Sequence, residues 1–324
     1  MPLTLLGVNV GDDYVICEIG TNHPGEIAAL TRIARPDVAV ITSVAETHLE
    51  GLGSLEGVAT EKAAILGDLE RGGAGIVWAD SPVLARALRA YDVKLIRFGQ
   101  SPDADLRLTG YETAGEGCRF EMNGRRWVSL ALPGRHNALN ALAAIAVAQR
   151  FGLDQDQAAD ALSDFAGAQM RLQRIRLGAV TVLNDAYNAN PASVAAAAEV
   201  LGELPARRRV MIVGDMKELG PRGEQLHRDT GERIARAGVD LLIAVGTLGR
   251  YVAQGAAGQG LRAECFETVE AACAAAPALL TDGDVILLKG SRAMAMERLL
   301  EPIRRAFEAD SSAGAVAAQE RRPR

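Results

Sequence analysis

Val180-Thr181-Val182-Leu183-Asn184-Asp185-Ala186-Tyr187-Asn188-Ala189-Asn190-Pro191-Ala192-Ser193 is the stretch that decides how this chain folds. An apolar, β-prone run breaks into a cluster of amide and carboxylate side chains, and an alanine-rich helical segment follows at once. A polar turn alone does not require three Asn, an Asp and a Tyr in so short a span, so the stretch reads as strand, ligand-facing loop, helix. The same alternation continues on both sides. Strands are expected at 180–183, 210–213, 241–245, 262–266 and 285–288, with helices at 192–204, 223–237, 248–256, 269–280 and 293–307. Apolar strands alternating with helical stretches mark an α/β domain with a doubly wound parallel sheet. Ligands gather beyond the carboxyl ends of such strands. Gly214-Asp215-Met216-Lys217-Glu218-Leu219-Gly220 and Lys289-Gly290-Ser291-Arg292-Ala293-Met294-Ala295-Met296-Glu297 are two further polar loops directly after strands.

Upstream lies a second α/β region. Strands are expected at 14–19, 38–44, 75–78 and 94–98, and helices at 26–34, 54–69 and 82–90. Residues 105–132 read differently, as hairpins: apolar residues alternate, with turns at Ala114-Gly115-Glu116-Gly117 and Asn123-Gly124, and Asn-Gly between alternating runs is a strong hairpin signal. Helices follow at 137–151 and 154–165. The expected organisation is a first domain over 1–168, a second over 169–307, and a disordered tail over 308–324, which lacks periodicity.

Composition narrows the function classes. The 324 residues are 48% hydrophobic and 23% charged, the balance of a globular protein with a large core rather than a disordered chain. With 35 basic against 41 acidic side chains and 4% aromatics, there is neither a basic patch nor a stacking surface for nucleic acid. No apolar run reaches membrane-spanning length, and Met1-Pro2-Leu3-Thr4-Leu5-Leu6 is too short and unflanked for an export signal. Four widely spaced cysteines (Cys17, Cys118, Cys265, Cys273) read as reduced thiols of a cytoplasmic enzyme.

Candidate chemistry in the first region sits at strand ends. Glu18 closes the first expected strand before Gly20-Thr21-Asn22-His23-Pro24-Gly25-Glu26, and His48 follows the second in Glu46-Thr47-His48-Leu49-Glu50-Gly51. A carboxylate and an imidazole on neighbouring strand ends can share a divalent cation whose shell is completed by water and phosphate oxygens. Each also reads as an ordinary loop residue bonded to backbone. Lys62, in Thr60-Glu61-Lys62-Ala63-Ala64, reads either as a site residue or as a surface lysine paired with nearby acids. Asn137 and Asn140 stand three apart at a helix start, which puts both amides on one face suited to a purine edge; Asn137 alone could equally be an N-cap.

Taken in order, these motifs resemble the Mur ligases. The matching stretches are Glu18-Ile19-Gly20-Thr21-Asn22-His23-Pro24-Gly25-Glu26-Ile27, His48-Leu49-Glu50-Gly51, Gly134-Arg135-His136-Asn137 with Asn140, and the three polar loops of the second region; the likeness runs from about residue 2 to about residue 307. The resemblance implies an enzyme that phosphorylates a carboxylate with ATP and lets an amine attack the acyl phosphate. Asp185-Ala186-Tyr187-Asn188-Ala189-Asn190-Pro191 is similar to the members whose substrates are UDP-MurNAc-tripeptide and D-alanyl-D-alanine. It implies ATP and Mg2+ as cofactors, and a monomer that binds neither nucleic acid nor membrane. By position, Glu18 and His48 look like ligands of the magnesium ion, and Lys62 like a lysine that relatives carbamylate. Asn137 and Asn140 match the adenine side, and Arg171 and Asp185 the ATP phosphates and ribose. Tyr187, Asn188, Asn190, Lys289 and Ser291 are similar to positions around the acceptor dipeptide.

One departure qualifies the resemblance. The family's Gly-x-x-Gly-Lys-Thr phosphate loop and the domain gripping the uridine nucleotide are expected upstream of Glu18, and no Gly-Lys-Thr or Gly-Lys-Ser occurs in the chain. The fold expectation is therefore a Mur-ligase central domain without its phosphate-loop strand, followed by a Rossmann-like second domain. The rival readings are another ligase of the folylpolyglutamate type, and a nucleotide-binding module without turnover. Without the loop's N–H groups the β- and γ-phosphates lose their main cradle. The 324 residues alone should then show little or no phosphate release in a substrate-complete assay; rapid turnover would contradict this.

Overall fold

The computed structural model describes residues 1–308. It forms two compact units, one made of residues 1–112, 118–130 and 135–164, the other of 113–117, 131–134 and the residues from 165 on. The first unit runs α1 (Pro2–Leu6), α2 (Glu26–Ala34), β1 (Val38–Ile41), α3 (Leu49–Leu52), α4 (Leu55–Ala63), β2 (Ala74–Trp78), α5 (Pro82–Leu88), β3 (Lys94–Gly99), β4 (Leu106–Ala114), β5 (Gly117–Met122), β6 (Arg126–Leu130), α6 (Arg135–Arg150) and α7 (Gln155–Ala161). Its six strands lie in the order β1-β2-β3-β4-β5-β6. The first four pair in parallel, starting with Val38 opposite Ala74 and Ala74 opposite Lys94. Ala74, Gly75, Ile76 and Val77 are buried on both faces of the sheet, which is why β2 reads as a continuous apolar run rather than an alternating one. The expected Asn-Gly hairpin is present: β5 and β6 pair antiparallel, and Asn123 (φ 56°) and Gly124 (φ 65°) both adopt the left-handed conformation of a tight turn. Ser54 and Ser81 cap α4 and α5 by accepting from Gly57 N and Leu84 N.

Residues 14–19 correct the sequence reading. They are not a strand: the segment from Asp13 to Gly20 forms no ladder, and Val15 and Ile16 face water. Glu18 therefore stands on irregular backbone, not at a strand end. β-Propensity describes how a side chain fits a pleated, half-buried surface, and a strand without a hydrogen-bonding neighbour gains nothing from it. The strand expected at 38–44 stops at Ile41, so Thr42 to His48 is free to turn across the strand ends. The helix expected over 54–69 ends at Ala63 and tightens into a 3₁₀ turn, Ala64–Leu66. Helix α1 was not anticipated.

The second unit runs β7 (Gln173–Leu177), β8 (Val180–Asp185), α8 (Pro191–Glu203), β9 (Arg208–Gly214), α9 (Gly223–Arg236), β10 (Leu241–Val245), α10 (Gly249–Gly258), β11 (Ala263–Phe266), α11 (Val269–Ala275) and β12 (Asp284–Lys289), closing with 3₁₀ turns and a helix over 300–308. Strand order is β11-β10-β9-β12-β8-β7, parallel except for the antiparallel edge pair β7 and β8. β7 is the strand the sequence reading missed. Every residue of β12 and β10 is buried, and these central strands carry the core, with Val182, Val210, Ile212, Ile243, Ile286 and Leu288 packed together. Glu308 belongs to the last helix, while the rest of the expected tail, 309–324, lies outside the described residues. Among the described residues no helix is long and apolar enough to cross a membrane.

One ion pair anchors β12 at its buried start. Asp284, 1% exposed, accepts from Arg208 Nε (2.9 Å) and Nη2 (2.6 Å) and from Thr281 N (2.8 Å). Removing one partner of a buried pair strands the other. Arg208→Met, which leaves the buried Asp284 carboxylate without its cation, should cost about 3–5 kcal/mol in unfolding of the second unit, read by denaturant titration. A loss under about 1 kcal/mol, the worth of an exposed pair, would contradict this.

Candidate active site

In the first unit the turn between Gly20 and Ile27 is tied to α3 and α4. Glu26 folds this turn back on itself: its Oε2 accepts from Asn22 N (2.8 Å) and His23 N (3.0 Å) and from Thr21 Oγ1 (3.2 Å). Those backbone donors favour the ionised form and hold the Glu26 carboxyl below its ordinary value. Glu61, on α4, reaches the same turn, accepting from Gly25 N at 2.7 Å and Ile27 N at 2.8 Å. The turn also lies against α3. A Cβ on Gly51 would fall 2.0 Å from Asn22 O, so only glycine allows this approach. His48 is the N-cap of α3 and adopts a left-handed conformation (φ 53°, ψ 31°), uncommon for a side chain of its size. Glu18 is exposed on the segment leading into the turn.

Lys62 follows Glu61 on α4. Its ammonium donates to Ser43 O at 3.0 Å, on the loop beyond β1. Burial lowers its pKa from the ordinary lysine value. The surface-lysine reading expects an acidic partner, whereas the bond described here goes to a backbone carbonyl. Asn137 is the third residue of α6, which begins at Arg135, so it is not the N-cap; Asn140 is exposed one turn on.

In the second unit the polar loops meet at the carboxyl ends of β8, β9, β10 and β12. Asp185 and Lys289 are register partners on adjacent strands. Lys289, 3% exposed, donates to Asp185 Oδ2 at 2.5 Å and to Asn188 O at 3.1 Å, while Asp185 Oδ1 accepts from Leu172 N at 3.2 Å. Ser291 receives Lys217 N on its hydroxyl (2.8 Å) and points its own hydrogen at Ala189 O (3.5 Å). Asn190 caps α8, accepting from Ser193 N (2.8 Å) in a reciprocal capping box. Arg171 lies 4.1 Å over the ring of Tyr187, whose face is half exposed. The structure thus brings together Asp185, Asn188, Lys289 and Ser291, and stacks Arg171 on Tyr187.

Three functional-looking groups escaped the sequence reading as individuals. Asp215, 1% exposed, holds Lys217 Nζ (2.9 Å), Leu248 N (3.0 Å) and Thr247 Oγ1 (3.3 Å), and Gly246 (φ 113°) leaves room for it. His227, fully buried, accepts from Met216 N at 2.9 Å and donates from Nδ1 to Gly223 O at 2.6 Å, a pairing that requires the neutral ring. Burial accordingly pushes its pKa down. Glu61 is the third. The available signal was a charged residue falling on the buried stripe of a helix, three residues after Val58.

The position of Lys62 can be read in solution. Its amine should titrate below the ordinary lysine value of about 10.4, measured by the pH dependence of its labelling rate with peptide-level mass spectrometry. A profile at the ordinary value would contradict its burial.

The sequence and the fold match known proteins. A Mur ligase middle domain matches residues 1–148, and a Mur ligase glutamate ligase domain matches residues 170–292. The Escherichia coli UDP-N-acetylmuramoyl-tripeptide–D-alanyl-D-alanine ligase is 36% identical over 94% of this chain and 68% of its own length. The crystal structure of MurF from Acinetobacter baumannii superposes with a TM-score of 0.86 at 30% identity, covering 94% of this chain and 67% of that one. MurF from Thermotoga maritima, solved in complex with ADP, gives 0.83 at 25% identity over 95% and 71% of the two chains. The chain thus spans about two thirds of the length of the relatives it matches. With both units matched in order, it belongs to the Mur ligase family.

Proposed function

We propose that this chain supplies the nucleotide-handling and acceptor-handling parts of an ATP-dependent ligase that joins D-alanyl-D-alanine to UDP-MurNAc-tripeptide. One observation carries the reading: the 36% identity, over 94% of the chain, to a ligase named for that reaction. The ADP complex of a similar protein supports a nucleotide site. In the reaction, the tripeptide carboxylate attacks the γ-phosphorus of ATP and ADP leaves. The dipeptide amine then attacks the acyl carbon, loses a proton, and expels inorganic phosphate as the amide forms. The physical demand is to neutralise phosphate charge while holding amine and acyl carbon together.

The residues divide between the two steps. On the nucleotide side, Asn137 and Asn140 face the adenine, and Arg171 and Asp185 serve the phosphates and ribose. Around the dipeptide stand Tyr187, Asn188, Asn190, Lys289 and Ser291. Lys289 is held by Asp185 and the Asn188 carbonyl, so its part is to shape that wall, with the exposed faces of Tyr187 and Asn188 left for contact. Glu18 and His48 would hold magnesium. The Glu18 carboxylate suits it, since magnesium takes one or two carboxylates beside substrate phosphates and keeps several waters, and this carboxylate is open to water. When bound, the ion neutralises phosphate oxygens. Lys62 suits carbamylation, because only a neutral amine attacks carbon dioxide and burial favours that form.

The test is phosphate release by the protein as its cell makes it, supplied with ATP, Mg2+, UDP-MurNAc-tripeptide and D-alanyl-D-alanine. Release should require both substrates, and Glu18→Gln should lower kcat at least about 100-fold, orders of magnitude being usual when a metal ligand is lost, with the melting temperature unchanged. Turnover with glutamate in place of the dipeptide would favour the folylpolyglutamate-type reading. ATP binding without turnover would favour a binding module.

A further inference from the structure

Glu61 is a carboxylate taken out of water, 7% exposed, with two backbone donors directed at it, Gly25 N (2.7 Å) and Ile27 N (2.8 Å), and with the Thr21 hydroxyl, shared with Glu26 and the His23 carbonyl, 3.3 Å away. All three belong to the turn that links the Glu18 segment to α2. The turn in turn presses its Asn22 carbonyl into the space left by Gly51 of α3, the helix that His48 begins. Glu61 itself stands next to Lys62 on α4. One buried charge therefore touches the joint of three separate chain segments, each carrying one of the residues proposed for the metal and the carbamate.

We propose that Glu61 is a positioning residue of the ligase: through the turn over residues 21–27 it fixes the Glu18 segment and the His48 helix relative to Lys62. This rests on the ligase reading above. The competing role is local, a cap on α2, since Gly25 is its N-cap and Ile27 its second residue. A cap stabilises the helix without setting where magnesium binds. A positioning group does both, because a carboxylate that accepts several N–H bonds fixes its donors in direction as well as in energy.

The experiment compares wild type with Glu61→Gln and Glu61→Ala, using Glu56→Gln as a control on the exposed side of the same helix. Glutamine keeps the shape but offers one acceptor oxygen and turns an NH2 toward the remaining donors. Three readouts are taken: amide exchange at Gly25 and Ile27, Mn2+–ATP affinity by electron paramagnetic resonance, and steady-state kinetics. In both Glu61 variants the two amides should lose protection. The concentration of magnesium giving half-maximal rate should rise about tenfold or more, Mn2+–ATP affinity should fall about tenfold, and KM for D-alanyl-D-alanine should stay within about twofold. Lost protection with unchanged metal dependence and Mn2+–ATP affinity would make Glu61 only a cap and overturn the proposal, as would retained protection. All variants are made in the protein as its cell makes it, and a wild type of that form that neither binds Mn2+–ATP nor turns over would instead count against the ligase reading itself.

Discussion

Lys289 ends β12, a strand buried along its whole length, and its ammonium lies 2.5 Å from the carboxylate of Asp185. The parallel register of β12 against β8 puts the two residues side by side, so the pair follows directly from strand pairing. An ion removed from water costs several kcal/mol unless its partners replace the hydration it gave up. Here the replacements are Asp185 and the carbonyl of Asn188, and the second Asp185 oxygen takes Leu172 N. The turn from Asp185 to Asn190 is thereby held from beneath by charge. It can present Tyr187 and Asn188 outward because its inner groups are already satisfied. Ser291 and Lys217 extend the same logic to the loops after β12 and β9, with Asp215 as their shared anchor.

The first unit uses a carboxylate in the same way. Glu61 and Glu26 between them satisfy the backbone N–H groups of Asn22, His23, Gly25 and Ile27, which an irregular turn leaves without partners. Exposed ion pairs elsewhere, such as Arg305 with Glu301 or Arg236 with Glu232, contribute little by comparison. The second unit places its polar loops where parallel strands end, the first holds an irregular turn ahead of α2, and both support these segments with carboxylates taken out of water. A rigid supporting shell is what keeps reacting groups within catalytic distance.

Much of this was legible in the residues. Strands of the second unit show as apolar runs because they are covered on both faces, and their helices show as alanine-rich periods between them. The Asn123-Gly124 hairpin was readable because its turn needs two left-handed residues in succession. Residues 14–19 misled for a definite reason: Val15 and Ile16 carry the composition of a strand, but pairing depends on a neighbour that local composition does not encode. β7 escaped because only Ile175 and Leu177 of its five residues are apolar, too short an alternation to stand out. Among the candidate site residues, the loops of the second unit stand out in the sequence by their amide content. Glu61 and His227 were missed, since a lone charged residue within a helix looks like solvated surface until its surroundings are known.

The buried pair at the heart of the second unit can be examined by a double-mutant cycle. Asp185→Asn, Lys289→Met and the double substitution would be compared in denaturant unfolding. If the pair holds the loop from below, each single change costs about 3–5 kcal/mol, and the double costs little more than either, because no unpaired charge is left behind. Losses that simply add, with no coupling between the two positions, would show that the ion pair is incidental to the loop it underlies.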